Sequence, residues 1–193
     1  CFNMDTTADL TIMEEANELI NRVSAGGVLP MFTSCCPGWI KFCEHYYPEF
    51  LPNLSTCKSP QEMFSATLKT YYCQKNNIDP KDLYIVSVIP CTAKKFELTR
   101  KEIGLYTDAC LTTRELAKMI VEAGIDFVNL VEGEYDDPFG IASGAGAIFG
   151  ATGGVMEAAL RTAAMALGDK DAPIEFKKVR GTKGVKEANF TLN

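Results

Sequence analysis

Two adjacent thiols, Cys35 and Cys36, stand in the run Thr33-Ser34-Cys35-Cys36-Pro37-Gly38-Trp39. The apolar residues 28–32 before them predict a short buried strand. Pro37 suits a first helical position, since its φ is preset and it has no N–H to lose, and residues 39–47 predict a helix stopped at Pro48. The pair therefore falls between a strand's end and a helix N-terminus, the usual place for chemistry in open α/β folds. Free N–H groups and partial positive charge there favour thiolate over thiol. Adjacent side chains point in different directions, so the two sulfurs are expected to do different jobs. The alternative is a pair of small apolar core residues.

A third thiol, Cys91, follows the β-branched and aromatic run 82–90, which predicts a buried strand. Lys94 and Lys95 come close behind it. They read either as cations stabilising a thiolate or anionic ligand, or as solvated charges. Upstream, Glu15, Glu18 and Arg22 are spaced i, i+3, i+7 along one side of a helix predicted over 8–23. That helix would bury Ile12, Ala16, Leu19 and Val23, take Thr7 or Asp9 as its cap, and end at Gly26-Gly27. Its acidic side is either a solvated face with a Glu18–Arg22 pair or a row of proton carriers leading toward the cysteines.

The other elements frame these groups. Ser59-Pro60-Gln61-Glu62 reads as a capping box opening a helix to about Tyr72. Residues 108–111 predict a short strand. Thr112 or Thr113 then caps a helix through Ala123, with Leu116, Met119 and Ile120 inward. Residues 127–130 predict a further strand, and 132–137 a solvated acidic connector. The glycine-rich run 143–154 lacks both the dinucleotide-binding and the P-loop spacing, so it is read as backbone that must approach something closely. A helix follows over 155–167. Residues 175–179 and 185–192 predict a hairpin across Gly181-Thr182-Lys183-Gly184.

Composition narrows the classes. The chain has 193 residues, 47% hydrophobic, with net charge −6. That is ample for a globular core, and no basic stripe points to nucleic acid. The longest uncharged run, 138–156, holds six glycines and is too weakly apolar for a membrane span. Eight cysteines contain no C-x-x-C pair, so metal binding would draw on thiols far apart in sequence. No signal peptide is visible, the first residue is not Met, and an internal fragment of a longer protein is expected.

Three stretches together resemble one family: residues 33–39, residues 90–97 (Pro90-Cys91-Thr92-Ala93-Lys94-Lys95-Phe96-Glu97), and the glycine-rich run through Gly153-Gly154-Val155-Met156-Glu157-Ala158-Ala159. Their order and content resemble the H-cluster domain of iron-only ([FeFe]) hydrogenases, and residues 8–15 match as well. The resemblance spans essentially the whole chain. It implies an α/β fold of two lobes, each a mostly parallel sheet flanked by helices, with the active-site cleft between them. The first lobe would be 1–104 and part of the second 105–193. It implies reversible reduction of protons to H2 on an H-cluster. That group is a [4Fe-4S] cubane joined to a di-iron subcluster with CO, cyanide and a bridging dithiolate.

On this resemblance Cys36 and Cys91 would be two of four cubane ligands, and Cys35 the proton-relaying thiol. Glu15, Ser55, Glu18 and Arg22 would form the proton route. Lys94 would lie against an iron-bound cyanide, and Gln61 and Phe149 would line the pocket. Ile89 stands where the family carries Met, keeping the bulk and losing the polarizable sulfur. The motif holding the other two cubane cysteines is absent from the sequence. His45 has no place in the scheme. The implied partners are ferredoxin or another electron carrier, H2 and protons, and maturation proteins that insert the di-iron unit; no membrane or nucleic acid is expected. The implied location is the cytoplasm of an anaerobic bacterium or similar, with the periplasm as the alternative. The alternatives are a hydrogenase-like iron–sulfur cluster assembly protein or a sensory H2-binding module.

Overall fold

Helix α1 (Asp5–Ala25) is the element on which the others converge in the computed structural model, which describes residues 1–169, 177–178 and 185–189. It starts one turn earlier than its apolar stripe predicts. Neither Thr7 nor Asp9 caps it; the Asn3 Oδ1 accepts the Asp5 N–H at 3.1 Å instead. Gly26, with φ 69°, closes it in the left-handed conformation, as expected. Ile12 and Ala16 are each 1% exposed, but Val23 at the far end of the stripe is in solvent.

Two apolar clusters hold α1 in place. In one, Ile12 packs with Ala158 and Ala159 of α8 (Gly154–Ala166), with Ile148 and Phe149 of α7 (Gly144–Phe149) against them. In the other, Phe64 of α3 (Pro60–Thr67), Leu68 and Ile85 meet Phe2, Tyr72 and Phe139. Close backbone approach explains the glycine-rich run. A Cβ on Gly146 would lie 2.8 Å from the Asp5 carbonyl oxygen, and one on Gly154 only 1.7 Å from that of Ile148. Asp9, unused as a cap on its own helix, caps α7. Its carboxylate accepts the Ser143 N–H, the Ser143 hydroxyl at 2.9 Å and the Gly146 N–H at 2.6 Å.

The helix opened by Ser59 runs through a π turn (Leu68–Tyr72) into α4 (Cys73–Asn76). Only half of its capping box forms: the Ser59 hydroxyl accepts the Glu62 N–H at 3.4 Å, while the Glu62 side chain turns elsewhere. Strands β1 (Val86–Val88) and β2 (Ala109–Leu111) pair in parallel, Ser87 opposite Cys110. With the helices around them they make an α/β structure of the expected class, although the parallel sheet has two strands among the described residues. β1 is shorter than the run 82–90 and buried on one face only: Ile85 and Ser87 turn inward, Tyr84, Val86 and Val88 outward.

Residues 28–32 do not form the predicted strand. Val28 and Leu29 are half exposed, and Phe32 makes a single bridge to Leu54. Residues 127–129 form a 3-10 turn, with Phe127 and Val128 exposed. Thr112 caps α6 (Thr113–Glu122) in a full capping box, but Met119 faces solvent. Residues 132–135 of the acidic connector are exposed, as predicted. The hairpin pairs antiparallel at β3 (Lys177–Lys178) and β4 (Lys186–Glu187), and its turn lies outside the described residues.

Candidate metal and proton-transfer site

Cys36 is the N-cap of α2 (Pro37–Tyr46), in extended backbone, and Pro37 occupies the first turn. Cys91 precedes α5 (Ala93–Glu97) and accepts the Lys94 N–H at 3.3 Å through its carbonyl. The two helix starts abut. A Cβ on Gly38 would sit 3.8 Å from the Cys36 sulfur and 3.9 Å from the Ala93 Cβ. Cys36 is exposed and Cys91 half-buried, and neither sulfur makes a hydrogen bond. None of the eight cysteines is in a disulfide.

Cys35 differs from its neighbour. It is half-buried, and burial pushes its thiol up to about 11, with the Glu15 charge adding to this and Lys94 opposing it. Desolvation therefore works against the helix-end preference for thiolate and favours the protonated thiol at Cys35. Burial likewise lifts the fully buried Glu15 from the ordinary 4.5 to about 7. The Ser34 N–H, 3.5 Å from Oε1, and the Ser55 hydroxyl limit that rise, while the Glu18 charge adds to it. The other oxygen of Glu15, Oε2, is buried without a hydrogen-bond partner.

Ser55 stands between the two carboxylates and donates to Glu18 Oε2 at 2.9 Å. Glu18 also accepts the Thr56 N–H at 2.9 Å and Arg22 at 2.6 and 3.0 Å. Burial pushes Glu18 up, but Arg22, Ser55 and Thr56 together outweigh it, and the carboxyl is held below its ordinary range. Arg22 is fixed in turn by the carbonyls of Val28 and Leu54 at 3.1 and 2.7 Å. Beyond Glu18 and Arg22 an open cleft bordered by Glu14, Asn17, Asn21 and Cys57 reaches the surface. Ser55, Glu18 and Arg22 lie in one hydrogen-bonded row with Glu15 beside Ser55, and Cys35 is close enough to feel the Glu15 charge.

A second polar cluster lies on the far side of Cys35. The buried Lys94 ammonium donates to the Cys35 carbonyl and to Glu97 Oε2, each at 2.9 Å. Its third proton has no partner among the described residues. The same Glu97 oxygen accepts the Ser59 hydroxyl at 3.0 Å and the Gln61 amide at 3.2 Å. Gln61 in turn accepts the Ser87 hydroxyl at 2.7 Å. Ser87 carries no signal in the sequence, Ser59 and Glu62 carry only that of a capping box, and Glu97 stands three residues after Lys94 in the 90–97 motif. Ile89 is half-buried at the end of β1, its N–H on the Leu111 carbonyl, and Phe149 packs into the α1–α8 core.

The donor set fits an iron–sulfur group in part. Cys36 and Cys91 offer two otherwise uncommitted thiols, and a buried ammonium with a spare proton suits an anionic ligand. Among the described residues no three His, Cys, Asp or Glu side chains converge as a metal site, so this pair would supply only two of a cubane's four ligands. Fold and site together define an α/β domain that sets two uncommitted thiols near a half-buried row of carboxyl, hydroxyl and guanidinium groups.

Comparison with known proteins gives that class its family. Residues 1–193 match the family model "Iron only hydrogenase large subunit, C-terminal domain", and the chain belongs to that family. It is 54% identical over 197 residues to iron hydrogenase 1 of Clostridium pasteurianum, covering 100% of this chain and 34% of that protein. Against the periplasmic [Fe] hydrogenase large subunit of Nitratidesulfovibrio vulgaris the identity is 52% over 199 residues, covering 100% and 47%. The apo [FeFe]-hydrogenase of Chlamydomonas reinhardtii superposes with a TM-score of 0.80 at 47% identity, covering 96% of this chain and 48% of that one. The chain thus spans a third to a half of the length of these relatives. The family carries the H-cluster, a [4Fe-4S] cubane linked to a di-iron subcluster. Protein NAR1 of Arabidopsis thaliana is a more distant relative, 30% identical over 209 residues. No helix among the described residues is long and apolar enough to cross a membrane.

Proposed function

We propose that the chain forms the proton-handling part of an enzyme that reversibly reduces protons to H2 on the H-cluster. The observation that carries this reading is the line from Cys35 through Glu15, Ser55 and Glu18 to Arg22. It runs from a half-buried thiol, past a carboxyl tuned near neutrality, to a cleft at the surface. A cluster-assembly protein that never moves protons has no need of such a line, and neither has a module that only binds H2. When bound, the H-cluster would supply the open iron site and the path for electrons arriving from an external donor.

Cys36 and Cys91 would hold the cubane at two of its four ligand positions. Lys94 would offer its spare ammonium proton to an anionic ligand of the di-iron unit. Gln61, Ile89 and Phe149 would border that unit. Protons enter at the Glu18–Arg22 cleft, pass by the Ser55 hydroxyl to Glu15, and are handed to the Cys35 sulfur, which delivers them to the reacting centre. Glu15 suits the middle of this route, since a carboxyl near 7 both takes and gives a proton at neutral pH. The division into lobes at 104/105 belongs to this reading, as do a ferredoxin-type electron donor, maturation proteins and a cytoplasmic location. Eight unpaired thiols support a reducing compartment.

The test is H2 evolution from reduced viologen by the full-length protein, loaded with iron, sulfide and a synthetic di-iron cofactor. Cys35→Ser is expected to abolish turnover and keep the cubane's EPR signal, whereas Cys36→Ser is expected to weaken cubane retention. Parental turnover by Cys35→Ser would sink the reading.

A further inference from the structure

We infer that Glu97 is a positioning residue that sets the Lys94 ammonium and the Gln61 amide against the metal pocket as one unit. The inference rests on the pocket roles proposed above for those two residues. Its basis is a single atom. Glu97 Oε2 accepts Lys94 Nζ at 2.9 Å, Ser59 Oγ at 3.0 Å and Gln61 Nε2 at 3.2 Å. All four side chains are buried, Glu97 at 3% exposure and Gln61 at 1%, so no solvent screens the arrangement.

Each donor is anchored a second time. Lys94 spends another proton on the Cys35 carbonyl at 2.9 Å, which ties the ammonium to the backbone of the relay thiol. Ser59 is the N-cap of α3, accepting the Glu62 N–H. Gln61 accepts Ser87 of β1 at its carbonyl end, while its NH2 end faces Glu97, which can only accept. Thus α3, α5, β1 and the Cys35 turn meet at one carboxylate. A long lysine side chain has many rotamers, and a strand-bound amide has two flips. The shared anion selects one of each. It also leaves one ammonium proton uncommitted and aimed away from Glu97.

Glu97→Gln keeps the size and removes the charge, leaving a buried ammonium without its counter-ion. Two readouts besides turnover separate positioning from mere support of the fold. In the apo protein, the ammonium signal of 15N-labelled Lys94, assigned by its loss in Lys94→Ala, is slow to exchange in the parent and is expected to disappear in Glu97→Gln. In the loaded protein, the infrared cyanide bands are expected to shift and broaden, with turnover falling roughly 10-fold, the scale seen when groups behind metal ligands are removed. Iron content should stay at the parental level. Should Glu97→Gln fail to fold, Glu97→Asp keeps the charge and withdraws it by one methylene, and the same signals are read with the same expectations. An unchanged ammonium signal and unchanged bands in the folded variant overturn the inference. Unchanged cyanide bands in Lys94→Ala would instead overturn the pocket role of Lys94, so the two failures are distinguishable.

Discussion

Glu15→Gln should make the protein more stable and less active, and the stability gain should depend on pH in one direction only. Glu15 is 0% exposed, and burial raises its carboxyl from 4.5 to about 7. Below pH 4.5 the group is protonated in both folded and unfolded chains and does not discriminate between them. Between 4.5 and about 7 the unfolded chain has lost the proton and the folded chain keeps it, so stability falls as pH rises. Above 7 both are ionised and the full cost of a buried carboxylate remains. At 1.36 kcal/mol per pH unit, the rise from 4.5 to about 7 amounts to about 3 kcal/mol. Gln reproduces the neutral carboxyl and can still accept from the Ser34 N–H, so it avoids this cost. Urea unfolding of the apo protein at pH 4.5 and at pH 8 measures the effect. The variant should match the parent at the lower pH and exceed it by a few kcal/mol at the higher. H2 evolution by the loaded variant should drop, because an amide carries no proton. A stability difference that is the same at both pH values would refute the assignment of a buried, titrating Glu15.

Arg22→Gln acts at the other end of the route. Glu18 is held below its ordinary range, so its contribution is present above the ordinary carboxylate pKa and is lost as the pH falls through the folded value. The variant should lose about 1–3 kcal/mol at pH 7. In acid the share due to Glu18 disappears, and the share due to the Val28 and Leu54 carbonyls stays. Urea unfolding against pH separates the two. Gly154→Ala places a Cβ 1.7 Å from the Ile148 carbonyl oxygen and should lower stability by at least about 1–3 kcal/mol, whereas Gly144→Ala, with nothing within 4 Å, should be close to neutral. Thermal melts of the two variants side by side decide this. Thr112→Ala removes the capping box of α6 and should cost about 1 kcal/mol, read in the same melts.

What could be read from the chain alone was what a few neighbouring residues determine. Pro37 after Cys36 marks the start of α2, and the 15-18-22 spacing puts two carboxylates and a guanidinium on one side of α1. Gly26 ends that helix because its φ of 69° suits glycine. What could not be read was what brings distant residues together. Residues 28–32 have the composition of a strand, but pairing needs a partner, and only Phe32 finds one, in Leu54. Ser55 was found through the family motifs, since nothing local marks a serine 37 residues from Glu18 as its donor. Asp9 looks like a cap for its own helix and is one for α7, 134 residues away from Ser143. At Cys35 the local signal and the tertiary one oppose each other. The helix end is visible in sequence, whereas the burial that opposes it comes from the tertiary fold.

The two carboxylates of α1 are three residues apart and chemically alike, yet the fold separates them. Glu18 carries two contacts from Arg22, one from Ser55 and one from the Thr56 N–H, which hold it as an anion. Glu15 has one buried oxygen without a partner and a carboxyl that protonates near neutrality. On the proposed route a proton entering at the cleft would rest on Glu15 in preference to Glu18, and the negative Glu18 itself helps to raise Glu15. The gradient points inward, from the surface toward Cys35. It arises from desolvation at one site and a guanidinium at the other, so a substitution at Arg22 acts on the whole route by narrowing the difference between its two carboxyls. For release of protons in the reverse direction, Glu15 must give its proton up against that gradient. On the proposed function, the same electrostatics that would charge the inner site for H2 formation would oppose its emptying during H2 oxidation.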